Sequence, residues 1–206
     1  MSKGRAQLEV LLRLEDETER KLAVAALIDD IVRPLGFRAI VIGGVAVEFW
    51  TRGAYSTADI DLYLPHGPAV DERLAELGLH REGRHWVDPE HDLFIEAPAS
   101  FPAPAEEVVE VKLSTGQTAL VLSPEDVLVY RLHEFVGTGH REIASQAISL
   151  FTSPDIDEQR LRRRADGERL GRALTELTRL ADRVAAGDIL ESHDLHEIAS
   201  DLRRSF

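Results

Sequence analysis

The sequence predicts an α+β fold followed by a helical C-terminal part. Strand-like apolar runs alternate with helical patterns up to about residue 122, and only helical patterns follow. A chain of 206 residues is long enough for one substantial core, or for one domain with a helical extension. We therefore predict an α+β domain over residues 1–122 and a helical region over residues 123–206 that packs on it.

The first elements are read from apolar spacing and from turn residues. Residues 5–33 carry leucines and isoleucines at helical spacing, which predicts a leading helix with room for one break before Pro34. The run "FRAIVIGG" predicts a buried strand that enters a glycine turn, and "VAVEFWTR" predicts a short helix after it. A strand is expected over residues 57–64, and "GPAVDERLAELG" reads as a helix ending at Gly78.

The later elements complete the sheet and then form helices. Four strand-like runs follow, "REGRHWV", "DLFIEA", "VVEVKLS" and "TALVLS". A helix is expected to begin in "SPEDVLVYRLHEFV", because Ser123 is a good N-cap, Pro124 suits the first helical position and Asp126 occupies the capping-box position. Further helices are predicted over residues 140–151, 155–166, 168–187 and 191–204.

Charge and composition narrow the classes of function. With 24 basic and 37 acidic side chains the formal charge is -13, which opposes extended nucleic-acid binding. The run "RLRRR", residues 160–164, is the densest basic stretch and is interpreted as a solvated helix face. The lack of cysteine excludes disulfides and thiolate catalysis. No run approaches the roughly 18 apolar residues of a membrane span, so we expect a cytoplasmic protein without a membrane partner.

The segment "GGVAVEFWTRGAYSTADIDLYL" contains two acids within an expected strand. Side chains alternate along a strand, so Asp59 and Asp61 are expected on one face while Ile60 and Leu62 point into the core. Two neighbouring carboxylates repel each other unless water, a proton or a cation lies between them. Mg²⁺ is the natural cation, since it binds one or two carboxylates together with substrate phosphates.

A third acid and a glycine turn extend this candidate site. The strand "DLFIEA" offers Glu96 or, as the alternative, Asp92, and a third carboxylate would complete a two-metal site. Gly43 and Gly44 form a turn between strand and helix, where backbone N–H groups can approach a phosphate.

The Gly-Gly turn followed by Asp-x-Asp resembles the signature of minimal nucleotidyltransferases related to DNA polymerase beta, in the double-glycine branch that includes abortive-infection toxin-like proteins. The resemblance covers roughly residues 37–151 and implies a mixed sheet flanked by helices. It implies two magnesium ions, with Asp59, Asp61 and Glu96 as catalytic metal ligands, and an NTP bound by Gly43 and Gly44. Other nucleotide-binding candidates are Thr57 and Arg52, which flank the aspartates, and Arg131, which stands where many relatives have a lysine.

The expected activity is transfer of a nucleoside monophosphate from an NTP, such as ATP, to an acceptor hydroxyl. The acceptor is left open between a protein, a tRNA end and a small molecule, and a partner protein and a toxin–antitoxin role are also left open. The alternative is a nucleotide-binding regulatory or antitoxin-like subunit without catalytic activity. All acids of the motif are present, which favours the enzyme.

Overall fold

The computed structural model describes residues 2–204, so the outermost residues of the two predicted regions lie outside it. The chain divides into two compact units. The first contains the residues up to Phe49 together with Tyr55–Ser123. The second contains Trp50–Ala54 together with the residues from Pro124 onward.

The first unit carries the leading helices and all the strands of the sheet. Its helices are α1 (Lys3–Leu11), α2 (Glu17–Val32), α3 (Gly43–Trp50, ending one residue inside the second unit) and α4 (Pro68–Ala75), with a 3-10 turn over Arg33–Leu35. Its strands are β1 (Ile40–Val41), β2 (Ile60–Tyr63), β3 (His80–Glu82), β4 (His85–Asp88), β5 (Leu93–Ala99), β6 (Val108–Lys112) and β7 (Thr118–Leu122). The leading helix is broken because Asp16 caps a new helix, accepting a hydrogen bond from the Glu19 N–H at 2.8 Å.

The seven strands form one mixed sheet in the order β3-β4-β5-β2-β1-β7-β6. The pairs β2–β5 and β1–β7 are parallel, and the other neighbouring pairs are antiparallel. The α+β prediction is therefore confirmed. The run "REGRHWV" differs from the single strand expected, because Gly83 takes a left-handed conformation (φ +63°) and folds the run into the β3–β4 hairpin.

One face of the sheet packs against helices and forms the core of the first unit. Helix α2 contacts β1, β2 and β7, and the side chains of Ile60, Ile95 and Trp86 are buried. The Trp86 indole N–H donates a hydrogen bond of 2.8 Å to Asp71 on α4, which shows that these residues face the helices. Residues that alternate with them along β2, β4 and β5 therefore point to the opposite face.

The second unit is helical. It contains α5 (Pro124–Thr138), α6 (Arg141–Phe151), α7 (Glu158–Gly167), α8 (Gly171–Ala185) and α9 (Ser192–Arg203). The interpretation of "RLRRR" as a solvated face is wrong for two arginines. Arg160 pairs with Glu125 and Asp126, and Arg164 pairs with Asp126, with both arginine side chains at most 15% exposed. Among the helices of residues 2–204, none is long and apolar enough to cross a membrane.

Candidate functional site

Three polar side chains form a row across neighbouring strands of the first unit. Asp61 on β2 lies opposite Glu96 on the parallel strand β5, and Glu96 lies opposite His85 on β4. Adjacent strands are about 4.8 Å apart, so each side chain is a direct neighbour of the next. The row lies on the sheet face that does not pack on α2, and the Glu96 side chain is 18% exposed there.

The glycine turn lies directly beside Asp61. Helix α3 begins at Gly43 itself, earlier than the sequence indicated, and the Gly44 N–H donates a 3.2 Å hydrogen bond to Asp61 Oδ2. Gly43 has φ +58°, and a Cβ placed on it would lie 2.0 Å from Asp61 Oδ2. A Cβ on Gly44 would lie 2.9 Å from the side chain of Thr57. Both glycines are therefore required by the close approach of the turn to the strand.

Asp59 does not lie in a strand, which corrects the expectation of a strand over residues 57–64. Strand β2 begins at Ile60, and Asp59 is exposed in the bend before it. The backbone N–H of Thr57 lies outside the sheet and donates a 3.2 Å hydrogen bond to the Glu48 carboxylate. The loop that carries Asp59 is therefore attached to α3 through Glu48.

Glu48 is a buried acid in the apolar helix α3, and a cation compensates its charge. Lys21 Nζ lies 2.7 Å from Glu48 Oε2, and the Thr18 hydroxyl donates a 2.6 Å hydrogen bond to Glu48 Oε1. Removing one partner of a buried pair costs more than the pair contributes, because it leaves a buried charge alone. Glu48 and Lys21 were not among the residues predicted from the sequence to have a role. An acid within the run "VAVEFW" was the signal that a buried partner exists.

Both carboxylate oxygens of Glu96 already have partners. Arg84 Nε lies 3.1 Å from Oε1, and His85 Nε2 lies 3.2 Å from Oε2. The Arg84 side chain is 69% exposed, and the His85 side chain is 36% exposed. The third acid is thus held between Asp61 on one side and a cation with an imidazole on the other.

The remaining predicted residues are distributed over the chain. Asp92 does not lie on β5 as expected; it is exposed in the turn before the strand, with φ +51°. Arg52 and Arg131 belong to the second unit. There, Arg52 lies 3.6 Å from Asp155, and Arg131 pairs with Glu134 one turn further along α5. Neither arginine belongs to the unit that contains Asp61 and Glu96.

A separate group of potential metal ligands is formed by Asp88, Glu90 and His91. Their ligand atoms lie within 4.8 Å of one another, so this group could bind a metal. Arg5 already contacts both acids. Burial raises the pKa of Asp88, but hydrogen bonds from Arg5 and His91 outweigh it and hold that pKa below its usual value.

Within residues 2–204, Asp59, Asp61 and Glu96 do not form a group as tight as that one. Asp59 is exposed in a bend, and Glu96 is held by Arg84 and His85. Their side chains would have to move toward each other to share a cation.

Comparison with solved structures reveals a similar fold. The chain is similar to an antigenic nucleotidyltransferase-like protein from Paracoccidioides brasiliensis, with a TM-score of 0.54 and 14% sequence identity. The similarity covers 84% of this chain and 92% of the other. At this identity it shows the fold alone, which is nucleotidyltransferase-like. No protein-family model and no curated protein sequence matches the chain.

Proposed function

We propose that the protein is a magnesium-dependent nucleotidyltransferase. It would transfer a nucleoside monophosphate from an NTP to an acceptor hydroxyl and release pyrophosphate. One observation carries the proposal. Asp61 and Glu96 are direct neighbours on parallel strands, and the N-terminus of α3 lies against Asp61 through the Gly44 N–H. Carboxylates beside a helix N-terminus place cation-binding and phosphate-binding groups next to each other.

The three acids suit Mg²⁺ because hard oxygen donors are the ligands that this ion prefers. Asp59, Asp61 and Glu96 would hold two ions. When bound, the ions would lower the pKa of the acceptor hydroxyl and neutralise charge on the departing pyrophosphate. The exposed bend at Asp59 leaves that side chain free to turn toward Asp61, and Glu96 can exchange Arg84 for another cation.

The other residues orient the substrates. Gly43 and Gly44 let the N-terminus of α3 approach the triphosphate, and the Thr57 side chain lies so close to Gly44 that a Cβ there would clash with it. Glu96 orients the acceptor hydroxyl and draws its proton as the new phosphoester bond forms and the bond to pyrophosphate breaks. Arg52 and Arg131 stay candidates for triphosphate contacts. Use of ATP, a toxin–antitoxin role and a cytoplasmic location also remain part of the proposal.

A second candidate is a nucleotide-binding subunit without catalytic activity. The observation in its favour is that both oxygens of Glu96 are already bound by Arg84 and His85. Such an arrangement is stable without an ion.

Incubation with NTPs labelled at the α-phosphate, Mg²⁺ and cell extract tests the proposal. We expect label to enter an acceptor only in the presence of Mg²⁺, with release of unlabelled pyrophosphate. The Asp59→Asn and Asp61→Asn variants should lose this transfer. Glu82→Gln, an exposed acid on β3, is the matched control and should keep it. Equal labelling by Asp61→Asn would contradict the proposal, and NTP binding without any transfer would support the second candidate.

A further inference from the structure

The polar row of Asp61, Glu96 and His85 extends across the sheet away from the glycine turn. From β1 to β4 it runs through the glycine turn, Asp61, Glu96 and His85, because the strand order there is β1, β2, β5, β4. The turn after β1 and the position of His85 are three strand spacings apart, roughly 14 Å at about 4.8 Å per strand. Groups at the β4 end therefore lie on the opposite side of Glu96 from Gly43 and Gly44.

The β4 end of this row carries positive charge. Arg84 stands at the tip of the β3–β4 hairpin, directly after Gly83, and it uses its Nε atom to contact Glu96. A guanidinium has five N–H donors, so the two terminal nitrogens of Arg84 can bind a second anion. The 69% exposure of the side chain makes these donors accessible from solvent. His85 presents a further ring N–H or acceptor beside it.

Glu96 contacts Arg84 and is also the residue proposed to contact the acceptor hydroxyl. Movement of Glu96 Oε1 toward Asp61 frees Arg84, and an ion pair that involves an exposed arginine exchanges partners at little cost. The freed guanidinium then lies on the side of Glu96 that faces away from the glycine turn. A molecule whose hydroxyl contacts Glu96 would place its neighbouring groups against Arg84.

We infer that Arg84, with His85, binds an anionic group of the acceptor, so that the acceptor is a hydroxyl compound with a phosphate close to the reacting hydroxyl. This inference rests on the proposed function and names the class of its acceptor. Arginine forms paired hydrogen bonds with phosphate oxygens, which distinguishes phosphate from a neutral group. A cationic acceptor such as an amino sugar would be repelled by Arg84.

The phosphate could belong to a nucleotide or to a sugar phosphate, and paired probes distinguish the two. Adenosine 5′-monophosphate is compared with adenosine, and ribose 5-phosphate with ribose. Binding is measured by calorimetry to the full chain loaded with Mn²⁺ and saturated with a non-hydrolysable NTP analogue, so that the NTP subsite is occupied. We expect at least one phosphorylated probe to bind about tenfold more tightly than its partner, as for a hydrogen bond between charged groups.

Variants separate binding from folding. Arg84→Ala should reduce the tenfold preference to nearly equal binding, and Arg84→Lys should restore part of it. Arg73→Ala removes an exposed arginine of α4 that pairs with Glu76 and should leave the preference unchanged. All three variants should melt within a few degrees of the wild type, because these side chains lie at the surface.

Two results would overturn the inference: equal binding of both members of both pairs by the wild type, or a preference that persists in Arg84→Ala. These differ from a failure of the proposed function. If neither Mn²⁺ nor the NTP analogue binds, the proposed function fails and this inference fails with it. If both bind and no preference is seen, only the assignment of the acceptor class is wrong.

Discussion

Replacing Gly43 by alanine tests the close approach of the glycine turn to Asp61. The new Cβ would lie 2.0 Å from Asp61 Oδ2 and 2.7 Å from its Cγ. Contacts of a Cβ below 3.0 Å are essentially never seen, so Oδ2 must move by at least about 1 Å (3.0 minus 2.0). This movement takes the carboxylate away from the Gly44 N–H, which it contacts at 3.2 Å.

The substitution is expected to lower both the stability of the protein and its transfer rate. The left-handed backbone at Gly43 costs an alanine roughly 1–2 kcal/mol of stability. Displacement of the carboxylate by about 1 Å is expected to lower the transfer rate on the order of 100-fold. Gly36→Ala is the matched control, because Gly36 has φ +81° and a Cβ there meets no atom within 4 Å. It carries the backbone cost without the clash.

Three measurements on the two variants separate these effects. Chemical denaturation should give losses of unfolding free energy that agree within about 1 kcal/mol. Calorimetry with Mn²⁺ and NTP, and single-turnover NTP consumption, should be impaired in Gly43→Ala and nearly normal in Gly36→Ala. If Gly43→Ala binds Mn²⁺ and NTP as well as Gly36→Ala does, the turn and Asp61 do not form one site.

Three further predictions concern single charges. Glu96→Gln should lower single-turnover transfer by about 100-fold or more while NTP binding persists, whereas Asp92→Asn should stay near wild type; the opposite result would make Asp92 the third acid. Arg84→Ala should tighten Mn²⁺ binding by up to about fivefold, because a competing cation leaves Glu96, and calorimetry that shows weaker binding would refute this competition. Asp88→Asn should cost roughly 2 kcal/mol at pH 7, less than for a fully buried pair because Arg5 is 13% exposed. The pKa of Asp88 is lower in the folded state than its unfolded value of about 3.9, so this stability is present above about pH 4 and is lost as the pH falls through the folded value. Denaturation should therefore show a smaller difference in unfolding free energy between variant and wild type at pH 3 than at pH 7. A difference that stays constant would argue against a role for the Asp88 charge.

Local signals were sufficient for most of the helices. The helix from Pro124 and the four that follow it lie close to the expected ranges, because Pro154 and Gly187 interrupt the apolar spacing where the structure also ends a helix. The interpretation of residues 160–164 as a solvated helix face was wrong for two arginines. Arg160 and Arg164, at most 15% exposed, pair with acids of α5, and a pairing across more than 30 residues leaves no trace in local charge patterns.

The short strands and the arrangement of the site could not be predicted, because they depend on contacts between residues that are distant in the sequence. Strand β1 has only two residues, and β2 starts after Asp59 because the Thr57 N–H bonds to Glu48 rather than to a neighbouring strand. The neighbours of Glu96 are set by the register between β4, β5 and β2, which is a property of the assembled sheet. Face alternation along each strand could be predicted, but not which strands lie side by side.

The most direct test of the proposed metal site is calorimetric titration of Mn²⁺ into the full chain, with and without NTP. We expect binding that NTP strengthens, and loss of that binding when Asp59→Asn and Asp61→Asn are combined. The double variant should remain folded, since Asp59 is exposed and an asparagine oxygen at position 61 can still accept the hydrogen bond from the Gly44 N–H. Unchanged Mn²⁺ binding in a folded double variant would contradict the assignment of Asp59 and Asp61 as metal ligands.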